Sequence, residues 1–243
     1  MEITKNTIVG EIVKTNFKTA QIFEKNKIDF CCGGQVSLSE ACINAKVDIE
    51  KLIPELELLT QTNDPDSKYL DGLELDALCD YIIKRHHSYV ADNIPFLKEK
   101  LQKLCDVHGE NHPELFKVAK LFKESADNLT LHMQKEEIVL FPYIVRMVKM
   151  KKGGNVDSST IGGVMNPINQ MILEHQAEGE RFEKITQITQ GYTRPADGCN
   201  TYEVTFKTLH EFEQDLHRHI HIENNILFKK SAELETELME YIK

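Results

Sequence analysis

The chain has 243 residues and a formal charge of −10 at pH 7, because 39 aspartates and glutamates outnumber 29 lysines and arginines. This balance argues against a nucleic-acid partner or an anionic membrane surface, since both are themselves negative. The length suffices for one large domain, or for a large domain and a small one. The sequence shows neither an apolar span of about twenty residues nor a signal peptide, so we expect a cytoplasmic protein without membrane contact. Its six cysteines should then be reduced thiols.

Residues 1–60 are predicted to form a small helical domain. Apolar residues at helical spacing indicate short helices near residues 8–13 and 17–23, and Ser37 with Glu40 has the spacing of a capping box that opens a third helix. Asp48 is expected to cap a fourth helix. The sequence QTNDPDSK at residues 61–68 is polar, contains a proline and interrupts the periodicity. It indicates a linker ahead of a second domain at residues 69–243.

A pair of adjacent cysteines lies between the second and third predicted helices. Cys31 and Cys32 follow Asp29-Phe30 and precede Gly33-Gly34. The turn stands ahead of a helix N-terminus, whose amide groups can lower the pKa of a thiol and make it reactive. The alternative is that one cysteine packs in the core and the other is incidental. The remaining cysteines lack such a setting and are expected to be structural: Cys42, Cys79, Cys105 and Cys199.

The stretch from residue 209 to 228 places two side chains of metal-ligand type on the apolar face of a helix. At about 100° per residue, Glu223 falls about 20° from the centre of that face and His219 about 60°. His217 and His221 fall about 100° and 140° away, so we expect them to be solvated. A glutamate buried one turn after a histidine is costly unless something pairs with it, and a metal ion would do so.

The same pattern occurs in residues 118–140. Glu136 falls about 20° from the centre of the apolar face and His132 about 60°, whereas Glu137 points outward. One His-x-x-x-Glu pair could equally be a buried, hydrogen-bonded couple. Two such pairs in one all-helical chain favour a metal site, because the cores of helix bundles are where di-metal sites are built.

Two further predicted helices bring histidines to their apolar faces. His175 lies at the centre of the apolar face of the helix around residues 164–185. The helix from about residue 73 to 104 carries His86 and His87, which straddle its apolar stripe, and periodicity slightly prefers His86. Polar or glycine-rich composition predicts the connecting loops at residues 106–113, 151–163 and 191–200.

The four long helices predict a four-helix bundle with a metal site in its core. Four imidazoles and two carboxylates are too many for one tetrahedral zinc ion. They suit two iron ions, with Glu136 and Glu223 as bridges and the histidines on the flanks. A ferritin-like site would need Glu-x-x-His pairs, and no glutamate in this chain precedes a histidine by three residues.

The order of these residues resembles the hemerythrin-like bundle: one histidine, then His-x-x-x-Glu, then a histidine, then a histidine followed by a carboxylate. Two features depart from that pattern. Gly179 stands where hemerythrins have a second histidine on the third helix, and the spacing from His219 to Glu223 is shorter than their final histidine-to-aspartate spacing. One imidazole fewer would leave more open coordination, which suits chemistry or iron release better than reversible oxygen carriage.

With the cysteine motif ahead of such a bundle, the whole chain resembles the RIC family, the di-iron proteins for repair of iron–sulfur centres. The resemblance rests on Asp-Phe-Cys-Cys-Gly-Gly, Arg85-His86-His87, HMQKEE with LFP in residues 132–142, Glu174-His175 and HIHIENN at residues 219–225. It implies six metal ligands: His87, His132, Glu136, His175, His219 and Glu223. His87 is preferred over His86 on this resemblance alone, and His108 falls where the family often has another histidine near the metals. Lys229 stands where the family commonly has proline.

The resemblance implies a homodimer with two non-haem, oxo-bridged irons that restores iron–sulfur clusters damaged by nitric oxide or oxidants, by supplying iron to the damaged proteins. Cys31 and Cys32 would then be the catalytic thiols, which could accept iron, receive nitrosyl groups or deliver electrons. Three alternatives stay open at this point. They are a nitric oxide reductase, a sensor that binds nitric oxide or oxygen, and a metal-free helical interaction domain.

Overall fold

The computed structural model describes residues 1–153 and 161–242, and within them all regular structure is helical apart from one bridge between Ile8 and Ser37. The predicted all-α class is therefore confirmed. No helix among the described residues has the length and apolarity needed to cross a bilayer. The loop predicted at residues 151–163 lies mostly outside the described residues. The chain divides into two compact units, unit 1 (Met1–Cys79, Ile144–Ile168 and Arg218–Lys243) and unit 2 (Asp80–Tyr143 and Asn169–His217).

The N-terminal part of unit 1 consists of short helices whose starts follow the predicted capping residues. Ser37 accepts a hydrogen bond from the Glu40 amide, and Asp48 accepts one from the Glu50 amide, so both predicted caps are confirmed. The helices are α1 (Val9–Thr15), α2 (Ala20–Lys25), α3 (Leu38–Ala45), α4 (Ile49–Thr60) and α5 (Pro65–Gly72). Because α5 begins inside residues 61–68, half of the proposed linker is helical, and the domain boundary there stays a prediction.

The rest of the chain forms long helices, three of which are interrupted by a wider π-helical turn. The elements are α6 (Leu75–Ile82), α7 (Ser88–His108), α8 (Glu114–Lys135), α9 (Phe141–Lys151), α10 (Met165–Ile188), α11 (Asn200–Ile222) and α12 (Phe228–Ile242). The π turns are Ile83–His87, Glu136–Leu140 and Glu223–Leu227. In each, an amide bonds to the carbonyl five residues earlier, as from Phe141 to Glu136.

Four helical segments of unit 2 form a four-helix bundle around Phe212. The Phe212 ring lies 6.2 Å from Tyr89 of α7, 5.4 Å from Phe122 of α8 and 5.8 Å from Phe182 of α10, measured between ring centroids. One aromatic side chain of α11 therefore contacts all three other helices, which fixes their spacing at this level. The helix expected to end near residue 104 continues to His108, so the predicted loop is shorter than residues 106–113.

Within unit 1, α1 approaches the π turn Glu223–Leu227 closely enough to require glycine at position 10. The Gly10 amide donates to the Gly34 carbonyl at 2.7 Å. A Cβ atom built on Gly10 would lie 2.9 Å from Cγ of Asn225 and closer still to its side-chain oxygen. Gly10 thus lets the first helix contact the turn that begins with Glu223.

We expect Gly10→Ala to lower the free energy of unfolding by about 1–3 kcal/mol, because the added methyl group must displace Asn225. Gly72→Ala is the matched control, since nothing lies within 4 Å of its added Cβ. That exposed change should leave stability unchanged or raise it by up to about 1 kcal/mol. Chemical denaturation of both metal-free variants measures the difference, and equal stabilities would contradict the proposed close contact.

Candidate metal centre

Glu136 is a carboxylate in the core of unit 2 that lacks hydrogen-bond donors. Its side chain is 0% exposed, and neither carboxylate oxygen accepts a hydrogen bond from the described part of the chain. Two imidazole nitrogens face its Oε2 instead, Nε2 of His87 at 3.3 Å and Nε2 of His132 at 3.5 Å. A buried carboxylate without donors is strongly unfavourable unless it is protonated or bound to a cation.

The outer nitrogens of these two imidazoles are held by carboxylates. Nδ1 of His87 lies 2.8 Å from Oε1 of Glu137, and Nδ1 of His132 lies 2.9 Å from Oε2 of Glu174. A carboxylate only accepts at neutral pH, so each Nδ1 carries a proton, and in the neutral imidazole each Nε2 then presents a lone pair to Glu136. Lone pairs facing a carboxylate repel it unless a cation lies between them. Carboxylate-bound imidazoles of this kind are typical of metal ligands.

Glu174 is well suited to orient His132. The hydrogen bond from His132 lowers the pKa of Glu174 to about 2, and hydrogen bonds from Lys135 and Gln170 act in the same direction against the effect of burial. The Lys135 ammonium and the Gln170 amide both contact Oε1, which leaves Oε2 for the imidazole. Glu174 therefore stays ionised and keeps the Nδ1 proton of His132 in place.

His175 brings a third nitrogen to the same place. Its Nε2 lies 3.1 Å from Nε2 of His132, and the ligand atoms of His132, Glu136 and His175 all lie within 4.8 Å of one another. Two imidazole nitrogens at this distance either share a proton or coordinate the same ion. In unit 2 the predicted residues His87, His132, Glu136 and His175 are thus brought together, and their donor set fits a divalent iron ion.

The other predicted pair lies in unit 1. His219 and Glu223 are both buried, and Nε2 of His219 lies 3.0 Å from Oε1 of Glu223. Glu223 opens the π turn Glu223–Leu227, just as Glu136 opens Glu136–Leu140. The two His-x-x-x-Glu sequences therefore adopt the same local structure, with the histidine in the last α-helical turn and the glutamate in the π turn.

His86 and His108 have different contacts from His87. Nδ1 of His86 contacts Oδ2 of Asp215 at 3.1 Å, and His86 is not among the converging groups of possible ligands in the described residues. Nε2 of His108 lies 3.3 Å from Sγ of Cys199. The slight periodic preference for His86 assumes 100° per residue, which does not hold in the π turn Ile83–His87, and the choice of His87 as the ligand stays a prediction.

His221 is buried, which corrects the expectation that it is solvated. Its ring is 2% exposed and packs between Phe17 and Phe30, at 5.8 and 6.1 Å between centroids. Burial lowers the pKa of His221 to about 3. A helical wheel with a single apolar face assigns the other face of the helix to solvent. Here Phe17 and Phe30 of unit 1 cover that other face. His217 is only partly exposed.

The expectation of an acidic thiol in the cysteine motif is also wrong for Cys31. The amides of Cys31, Cys32 and Gly33 donate to the Asp29 carboxylate at 2.7–2.9 Å. Those amides are therefore unavailable to the sulfur atoms. The hydrogen bond with Cys32, followed by burial, raises the pKa of the Cys31 thiol well above its usual range. The two sulfur atoms lie 3.6 Å apart, and the ligand atoms of Asp29, Cys31 and Cys32 converge within 4.8 Å.

Sequence reasoning missed the residues that connect or orient these groups. Asn224 donates to the Cys31 carbonyl at 3.1 Å, which ties the cysteine turn to the residue after Glu223. Glu137 and Glu174 orient ligands on other helices, and each lies next to a predicted ligand in the sequence. A carboxylate adjacent to a ligand points about 100° away from it on the helix, towards a neighbouring helix. The position of Glu137 and Glu174 beside a predicted ligand is therefore the sequence feature that indicates their contact with another helix.

Comparisons with known proteins agree with this arrangement. Residues 5–60 match the model of the ScdA_N domain, a domain of unknown function, and residues 80–231 match the hemerythrin HHE cation-binding domain. The iron–sulfur cluster repair protein ScdA of Staphylococcus haemolyticus is 34% identical over 230 residues, which cover 94% of this chain and 99% of that protein. The iron–sulfur cluster repair protein YtfE of Yersinia pseudotuberculosis is 33% identical over 227 residues, which cover 93% and 97%. With both domains matched and the likeness extending over nearly the whole length, the chain belongs to the ScdA and YtfE family of hemerythrin-like proteins.

Proposed function

We propose that this protein is a non-haem di-iron protein that repairs iron–sulfur clusters damaged by nitrosative or oxidative stress, by donating iron. The observation that carries the proposal is Glu136, fully buried and without hydrogen-bond donors among the described residues, with two carboxylate-held imidazoles facing it. The names of its relatives support cluster repair as the role. Damaged iron–sulfur proteins are therefore the proposed partners.

The proposed ligands of two oxo-bridged irons are His87, His132, Glu136, His175, His219 and Glu223. Bound iron would supply redox chemistry between the ferrous and ferric states and positions for small ligands such as nitric oxide or oxygen. The protein's part is to hold neutral imidazoles with their lone pairs directed inward, through Glu137 and Glu174. Four imidazoles and two carboxylates leave coordination positions open, which is consistent with release of iron.

Cys31 and Cys32 are proposed as the catalytic thiols that receive iron. Their sulfur atoms and the Asp29 carboxylate converge in one turn of unit 1. Sulfur and carboxylate ligands together can hold ferrous iron transiently, since binding deprotonates the Cys31 thiol, which the hydrogen bond with Cys32 and burial otherwise keep protonated. The resemblance to the family further suggests a cytoplasmic homodimer that acts under stress.

Glu136→Gln tests the metal site against a purely structural role. Wild-type protein isolated with iron should hold about two irons per chain, and Glu136→Gln should hold one or none. The metal-free variant should be at least as stable as the metal-free wild type, because the change removes a buried charge that lacks donors. Iron analysis and thermal unfolding measure both. Glu183→Gln, the same change at an exposed position of α10, is the control and should alter neither.

Two results would contradict the metal-site proposal. One is a wild-type protein that contains no iron when isolated with iron present. The other is a metal-free Glu136→Gln variant that is markedly less stable than the metal-free wild type, as expected of a carboxylate held by hydrogen bonds.

Removal of the carboxylates that hold the imidazoles should weaken iron binding without removing a ligand. We expect Glu174→Gln and Glu137→Gln each to lower iron affinity about 10- to 100-fold, because the imidazole tautomer and orientation are no longer fixed. Competition with a coloured chelator measures the affinity, with Glu183→Gln again as the control. Unchanged affinity in both variants would contradict an orienting role.

A double variant, Cys31→Ser with Cys32→Ser, separates iron binding from iron transfer. Its iron content should equal that of the wild type, whereas its ability to restore activity to a nitric-oxide-damaged iron–sulfur enzyme should fall to near the background rate. The readout is enzyme activity recovered over time, alongside iron analysis of the variant. Wild-type recovery by the double variant would remove the cysteines from the proposal.

A further inference from the structure

Cys199 occupies the N-terminal cap of α11, although its sequence setting suggested a structural cysteine. Its carbonyl accepts the Glu203 amide at 3.2 Å, which is the first hydrogen bond of this 23-residue helix. Unlike Cys42, Cys79 and Cys105, which are buried, Cys199 is exposed. The amides of Tyr202 and Thr201, in the first turn of α11, act to lower the pKa of its thiol. The sulfur's side-chain partner lies 91 residues away in the sequence, so no local pattern indicates it.

The distant partner is His108, the last residue of α7. Its Nε2 lies 3.3 Å from Sγ of Cys199. The His108 ring packs edge-on against the buried Tyr202, at 5.5 Å between centroids, so a residue of α11 itself holds the imidazole beside the sulfur. An imidazole beside an exposed sulfur at a helix N-terminus is the setting of reactive cysteines.

The charged groups around this pair are already balanced by other partners. His112 bridges Glu114 and Asp197, at 3.0 Å to each carboxylate. The Arg194 guanidinium binds Glu203 at 3.1 Å. The hydrogen bond from His108, together with those from the two amides, lowers the pKa of the Cys199 thiol to about 7. A larger share of this thiol is therefore ionised at neutral pH than of an ordinary cysteine.

Over the described residues, the groups of histidine, cysteine and acidic side chains that converge closely enough for an ion include neither Cys199 nor His108. An exposed sulfur at a helix N-terminus with an imidazole 3.3 Å away is the arrangement of a nucleophile.

We propose that Cys199 and His108 form a thiolate–imidazole site that reacts with small disulfides, giving the protein a modifiable thiol in addition to Cys31 and Cys32. The Cys199 thiolate attacks one sulfur of a disulfide R–S–S–R. The new bond joins Sγ of Cys199 to that sulfur while the original S–S bond breaks. The other sulfur leaves as RS⁻ with the bonding electron pair and takes a proton from solvent. The Cys199 sulfur is oxidised to the disulfide level, and the small disulfide is the oxidant.

The test is the rate at which Cys199 of the full-length protein forms a mixed disulfide with oxidised glutathione, followed residue by residue by peptide mass spectrometry. His108→Gln removes the imidazole. His112→Gln is the matched control, since His112 contacts the same Tyr202 ring at 5.9 Å but holds Asp197 and Glu114. Thermal unfolding of each variant establishes that it is folded.

We expect His108→Gln to slow the reaction at pH 7 about fourfold, since the loss of ionised thiol outweighs the higher nucleophilicity of a more basic sulfur. The wild-type rate should rise with pH around a midpoint near 7, following the pKa of Cys199, and the midpoint should move upward in His108→Gln. His112→Gln should stay within about twofold of the wild type, since its ring does not bind the sulfur. Any of three results would overturn the proposal. The rates in the wild type and His108→Gln could be equal, or His112→Gln could slow the reaction as much as His108→Gln does. The adducts could also form on Cys31 and Cys32 but not on Cys199. Because the readout is thiol modification, it is independent of iron loading.

Discussion

The constraint on which unit 2 depends is the carboxylate of Glu136, held where no protein group donates to it within the described residues. A nearby positive charge makes burial of this carboxylate favourable. The imidazoles of His87 and His132 are arranged to bind a metal cation beside it. Glu137 and Glu174 fix those imidazoles from behind. The aromatic contacts around Phe212 are the rigid frame that holds the helices at the spacing this arrangement needs.

The π turns explain how regular helices can present these groups. Each of the three contains one of the proposed ligands, His87, Glu136 or Glu223. A π turn accommodates an extra residue and changes the direction of the side chains beyond it, so the helix can direct a ligand inward and still keep its apolar stripe on the core afterwards. Pro142, which lacks an amide, follows the second of these turns and leaves one carbonyl of the α-helical pattern without its usual donor.

Much of the fold and several site residues could be predicted because helical periodicity and capping are local properties. The caps at Ser37 and Asp48, the all-α class and the inward pairs of histidine and glutamate follow from spacing alone. The choice between His86 and His87 did not, because periodicity assumes a uniform helix and this one is π-helical there. The burial of His221 and the imidazole beside Cys199 depend on residues far away in the sequence. No local pattern contains that information.

The hydrogen bond from Asn224 to the Cys31 carbonyl joins two parts of unit 1, the cysteine turn and the π turn Glu223–Leu227. Asn225, the next residue, contacts Gln35 and His221, so the segment after the cysteines is attached to the same turn. Glu223, Asn224 and Asn225 are consecutive, so the residues that hold the loop directly follow the buried carboxylate. Moving the thiol-bearing loop away would therefore require breaking hydrogen bonds to the two residues beside Glu223.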